Sequence, residues 1–227
     1  MSRFWTAHGL IPALLFVIAV VVFETTTLDV SLANHFYDFA SQQWPYKDSW
    51  WASQLIHEYG RRLIVLLFLI NVGVLALAYL RPRLREYRRP AAYMALVLIF
   101  APLIVSMGKK ISNTDCPWEL DIYGGDRPYV LLFEDRPNHL PATQCFPGGH
   151  SSGGFTLLGL YFLFLKRNTR LAKLGLVIGL GVGGLFAFGQ EARGAHFISH
   201  DSWSAAICWF TALGIYTVIF KQRLWSD

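Results

Sequence analysis

The chain has 227 residues, is 54% hydrophobic and only 15% charged, and carries a mean hydropathy of +0.37 and a formal net charge of +5. So little charge excludes an ordinary soluble domain, in which about a quarter of the residues are charged. The apolar residues come in blocks, which points to membrane spans rather than one soluble core. The net charge is no nucleic-acid signal, because cations and acids segregate to opposite membrane faces.

The blocks run at about 9–23, 63–80, 91–107, 152–165, 174–188 and 204–220. They predict an all-α integral membrane protein: a six-transmembrane helix bundle forming one membrane domain over 1–227. Several blocks fall short of the roughly 20 residues of an ideal span, so some ends must be polar, buried or tilted. The first block follows Arg3 and has the length of a signal peptide. The sequel Glu24-Thr25-Thr26-Thr27 offers no small-x-small cleavage site, so an uncleaved anchor is expected.

Orientation follows from the cations. With both termini in the cytoplasm, the inner segments hold Arg3, Arg81, Arg83, Arg85, Arg88, Arg89, Lys166, Arg167, Arg170, Lys173, Lys221 and Arg223. Only two acids, Glu86 and Asp227, accompany these cations. The other thirteen of the fifteen acids fall outside. The inner arginine runs read as topology determinants.

Two external segments are long. Residues 24–62 carry Tyr37, Trp44, Tyr46, Trp50 and Trp51, which predicts a surface-lying interfacial segment, with a lid over the site as the alternative. Residues 108–149 open with Lys109-Lys110, and their prolines and Gly124-Gly125 rule out a long regular element. A loop of this length is functional or disordered, and its aromatic and cysteine content argues for order. Cys116 and Cys145 both lie in it. In an oxidising compartment they could close a disulfide, and the alternative is two reduced thiols. Histidines elsewhere, such as His8, His35, His57 and His139, read as interface or surface residues.

The chemistry gathers at helix ends. Pro147-Gly148-Gly149-His150-Ser151-Ser152 opens the fourth apolar block, and Arg193-Gly194-Ala195-His196-Phe197-Ile198-Ser199-His200-Asp201 separates the fifth from the sixth. In the expected topology the Lys109, His150 and His196 helix ends share one face. A glycine turn opening a helix offers free N–H groups to an anion. Lysine and arginine neutralise a phosphate and the charge that develops on it. One histidine can attack phosphorus while another moves the leaving-group proton. No carboxylate cluster with metal-ligand spacing stands beside them, so no metal or other cofactor is required.

These motifs resemble the type 2 phosphatidic acid phosphatase superfamily over about residues 109–209. Its pattern is a lysine followed by Arg-Pro, then Pro-Ser-Gly-His, then an arginine, a histidine six residues on and an aspartate four further. The resemblance makes His150 the general acid and His196 the nucleophile. It assigns Lys109 or Lys110, Arg127, Gly148, Gly149 and Ser151 (or Ser152) to the substrate phosphate. Arg136-Pro137 rivals Arg127-Pro128. The departures are Gly148 in place of the serine, Gln190 in place of the arginine, His200 in place of the aspartate, and a lysine seventeen or eighteen residues before Arg127-Pro128, farther than the family's spacing. Arg193 is the substitute for the missing guanidinium. His200, Asp201 or Glu191 is the orienting group, and a shifted register would make His200 the attacker.

The resemblance implies a bacterial inner-membrane phosphatase with its site at the periplasmic face. Phosphatidic acid, phosphatidylglycerol phosphate, undecaprenyl pyrophosphate and lipid A phosphate are candidate substrates. Membrane lipids are then the expected partners, with no nucleic acid and no protein partner implied. A phosphotransferase using the same residues, and a non-catalytic lipid transporter or binding protein, are the competing expectations.

Overall fold

A computed structural model of the protein describes residues 3–220. The tail cations Lys221 and Arg223 and the acid Asp227 lie outside the described residues. The described chain is helical, with α1 at Arg3–Thr25, α2 at Leu28–Ala33, α3 at Trp50–Leu80 and α4 at Arg88–Ser112. It continues with α5 at Gly149–Phe155, α6 at Gly159–Phe164, α7 at Thr169–Ala192 and α8 at Ile198–Ile219. Among the described residues there are isolated β-bridges and no β-strand.

Five helical runs are long and apolar enough to cross a membrane: Arg3–Thr25, Trp50–Leu80, Pro82–Glu119, Thr169–Ala192 and Ile198–Ile219. The segment expected as the fourth of six spans does not meet that criterion. It is α5 and α6 joined by a 3-10 turn at Thr156–Leu158. The local cause is its composition. Gly153 and Gly154 weaken the helix, and the Thr156 hydroxyl donates back to the Gly153 carbonyl. The run from 149 to 164 would reach about 24 Å at 1.5 Å per residue, short of a hydrocarbon core of about 30 Å.

Helices α4 to α8 form the packed centre, and α1 and α3 flank it. Tyr93, Met94 and Val97 of α4 meet Phe162 of α6 and Ala212, Leu213 and Tyr216 of α8. The Tyr93 hydroxyl finds its acceptor in the Ala212 carbonyl, 3.2 Å away. Helix α7 approaches α5 and α6 closely because Gly175, Gly179 and Gly183 carry no side chain. A Cβ there would strike Leu160, Leu158 and Phe155, whereas Gly181 and Gly184 face open space. By contrast α1 and α3 leave Leu15, Ile18, Leu66 and Leu69 more than half exposed, the signature of helix faces made for lipid.

The external segments differ from the interfacial reading of 24–62. Helix α3 already begins at Trp50, capped by the Ser49 hydroxyl, so Trp50–Tyr59 forms its first turns, wound as a π-helix. Tyr37 and Trp44 do not lie flat at a surface. They are buried with Tyr123, Leu120 and Phe197 in an aromatic cluster that joins the first external segment to the second. The reason is the complementary aromatic content of the 113–148 loop, which supplies a partner for rings that would otherwise lie at an interface. Cys116 and Cys145 are joined as a disulfide within that loop.

Candidate active site

The ends of α4, α5 and α7 come together. Cys145 is held by its N–H to the Thr114 carbonyl, and the Ser112 hydroxyl at the end of α4 donates to the Phe146 carbonyl. Gly148 N–H donates to the His200 carbonyl at 3.0 Å, and the Ser204 hydroxyl donates to the Gly148 carbonyl at 2.7 Å. The turn before α5 is thereby bound to both α4 and α8. Gly194, at φ +71°, makes the left-handed turn that swings Ala195 and His196 inward from the end of α7.

The inner half of the site holds His196, His200, Lys109 and Asp201. His196 is 7% exposed and His200 4%. Their Nδ1 atoms are 3.5 Å apart, and His196 Nδ1 is also 3.5 Å from the Cys145 sulfur. Burial, then the nearby Lys109 charge, pushes His196 well below the usual imidazole range, so its ring is neutral near pH 7. Lys109 Nζ donates to the Cys145 carbonyl at 3.2 Å, and its side chain lies beside Gly149, at the first turn of α5. Lys110 is exposed, whereas Lys109 is partly buried at the site.

Cys145, His196 and His200 offer donor atoms within 4.8 Å of one another. The Cys145 sulfur is bonded to Cys116, so it has no thiolate to give a metal.

The outer half holds His150, His57, Gln190 and Arg193. His150 stacks on Phe186 with ring centroids 4.3 Å apart, and its Nε2–H donates to the Ile56 carbonyl at 3.2 Å. His150, Gly149 and His57 line a cavity of about 420 Å³ whose apolar wall includes Ile64, Phe68, Leu98 and Phe186. Arg193 donates to the Lys47 carbonyl at 2.9 Å and to Gln190 Oε1 at 3.4 Å.

Several expected phosphate ligands are engaged elsewhere. Arg127 pairs with Asp115 and Glu119, and Arg136 grips the same Asp115, so neither Arg-Pro motif is brought to His196. Ser151 is buried and its hydroxyl donates to Asp201 Oδ1 and the Gly148 carbonyl. Ser152 turns its hydroxyl onto the Gly149 carbonyl. A serine in place of Gly148 would require the Asp201 and Ser151 side chains to shift, since its Cβ would collide with both. Of the three possible orienting groups, His200 is the one beside His196. Asp201 Oδ1 accepts from Ser151, while Asp201 Oδ2, like Glu191 Oε1, is buried without a hydrogen-bond partner.

His57 is the residue that sequence reasoning missed. By sequence it reads as an interface or surface histidine, yet its ring lies 4.5 Å from that of His150. The available signal was its place at the external end of an apolar block, the same position that singled out His150.

Residues 90–224 match the family model of the PAP2 superfamily. This chain belongs to that superfamily. The match spans α4 to α8, the helices that carry Lys109, His150 and His196 between them. Neither a curated protein sequence nor a solved structure matches the chain. PAP2 superfamily members are phosphatases, and with helices of this length and hydropathy the coarse reading is a multi-pass membrane phosphatase.

Proposed function

We propose that the protein hydrolyses a phosphate or pyrophosphate group from a membrane lipid through a phosphohistidine on His196, without a metal. The observation that carries this reading is the burial of a neutral histidine, His196, between a lysine and a second histidine. Behind His150, a cavity with a polar end and an apolar wall suits a headgroup with its acyl chain.

For His196 Nε2 to attack, Nδ1 carries the ring proton and donates to His200 Nδ1, which therefore orients the nucleophile. The Nε2–P bond forms as the P–O bond to the lipid breaks, and His150, entering as the imidazolium, gives its Nε2 proton to the leaving oxygen and becomes neutral. At rest His150 donates its Nε2–H to a backbone carbonyl, a contact that substrate displaces. Water then gives a proton to His150 and attacks phosphorus, and the P–N bond breaks to release inorganic phosphate. Lys109, the amide groups at the start of α5 and Arg193 hold the phosphate oxygens. The α5–α6 run serves as a sixth, short span, and the site lies at the periplasmic face of a bacterial inner membrane with the N-terminus inside.

The test is phosphate release by the purified full chain with EDTA present, against phosphatidic acid, phosphatidylglycerol phosphate, undecaprenyl pyrophosphate and lipid A. Release from one lipid that vanishes in His196→Ala is expected. Full release by that variant would end the mechanism. Label appearing on an acceptor lipid instead of in solution would replace hydrolysis by transfer.

A further inference from the structure

Gln190 stands where the resemblance led to an arginine, and the structure shows what it does instead. Its side-chain amide lies between Arg193 and His57, with Oε1 3.4 Å from Arg193 Nη1 and Nε2 2.9 Å from His57 Nδ1. An arginine can only donate, so the amide oxygen must face Arg193 and the amide nitrogen must face His57. The amide N–H then donates to His57 Nδ1. That nitrogen is bare, and the single ring proton sits on Nε2. His57 is thus held in one tautomer, at a fixed place on the π-helical first turns of α3. Its ring is tilted 59° to that of His150, and both rings line the same cavity. The neighbouring Arg61 is pinned by Glu58 and exposed, so it does not compete for this place.

We propose that His57 is a phosphate-binding residue of this site. It presents Nε2–H to a substrate phosphate oxygen beside His150, and Gln190 and Arg193 lock the ring in position. Because the lock comes from a neutral amide, the contact is a directed N–H donor and not an added charge. Arg193 and His57 together would then occupy the space of one guanidinium. This inference rests on the phosphatase reading.

The experiment compares wild type with His57→Ala, His57→Gln and His57→Asn, all as the full chain in detergent. The readouts are kcat, KM, inhibition by inorganic phosphate and the phosphate-dependent rise in unfolding temperature. His57→Ala should raise both KM and the phosphate inhibition constant by about tenfold to a hundredfold, the loss expected for one hydrogen bond to a charged group. Its unfolding temperature without phosphate should stay near that of wild type. Glutamine places an N–H where imidazole Nε2 stood and should recover most of the loss, whereas asparagine mimics Nδ1 and should not. Equal phosphate inhibition in wild type and His57→Ala, or a glutamine variant no better than asparagine, overturns the proposal. Should the alanine variant fail to fold, the glutamine–asparagine pair decides.

If wild type hydrolyses none of the lipids, the phosphatase reading fails separately. A phosphate-dependent rise in unfolding temperature that His57→Ala loses would then still support His57 as an anion ligand. No rise in wild type would overturn it.

Discussion

Lys109 and Arg127 are two cations that the sequence assigned to the same phosphate, and the structure treats them in opposite ways. Arg127 is met by the carboxylates of Asp115 and Glu119, and Arg136 closes the other side of Asp115. That region is a neutralised knot bracing the external loop. Lys109 meets a backbone carbonyl, which leaves its charge available to an anion. A cation already matched by carboxylates braces a fold, whereas one resting on a carbonyl can still bind phosphate.

The comparison breaks most readily at Lys109. Lys109→Met should lower kcat/KM by about a hundredfold to a thousandfold, as for loss of a group that stabilises transition-state charge, with little change in unfolding temperature. Arg127→Met should do the reverse. It leaves Asp115 held by Arg136 alone and should destabilise the protein by about 1–3 kcal/mol in chemical unfolding, with kcat/KM near wild type. If Arg127→Met removed activity and spared stability, the contrast would be wrong.

Removing the disulfide by Cys116→Ser with Cys145→Ser acts on both regions. It should cost about 2–4 kcal/mol of stability, and it should also lower kcat because the Cys145 carbonyl is the Lys109 anchor.

A smaller effect sharpens the electrostatics of the site. Burial and Lys109 hold His196 below the ordinary imidazole value of 6.5, so the nucleophile stays neutral as pH falls through that value. The acid limb of kcat/KM that reports this group should lie below pH 6.5. In Lys109→Met one repulsion is gone, so the limb should move up in the residual activity. A downward move would show that Lys109 does not face His196.

The smallest expected effect is at Asp29, which accepts the Ser199 N–H at 3.0 Å at the start of α8. Burial raises its carboxyl from 3.8 to about 6, so between these values the folded state binds more proton than the unfolded state. Its contribution to stability is complete below pH 3.8 and is lost as pH rises through about 6. Asp29→Asn keeps the acceptor and should flatten the pH dependence of unfolding temperature across that window.

How far the sequence reached differs from residue to residue. His150, His196 and Lys109 stood out as candidates because each combines a chemical group with the edge of an apolar block, where polarity needs a use. His200 stood out as one of three candidate orienting groups, but its place beside His196 was not legible. Which of His200, Asp201 and Glu191 faces His196 depends on how the end of α7, which carries Glu191, and the first turn of α8, which carries His200 and Asp201, are placed around the turn at Gly194. Within 24–62, Tyr37 and Trp44 are buried whereas Tyr46 and Trp50 are exposed, because aromatic residues suit a bilayer surface and a protein interior equally well.

By itself the sequence determined the membrane class, the apolar helices and the identity of the groups able to handle phosphate, since hydropathy and side-chain chemistry are local properties. Only the tertiary structure decided which cation stays unmatched by carboxylates, that position 148 is crowded by Asp201 and Ser151, and that His57 lies beside His150. Each of these depends on the distance between atoms remote in the chain. Those distances are fixed by the packing of α5 and α7, the tie between Gly148 and α8, and the hydrogen bond from Gln190 to α3.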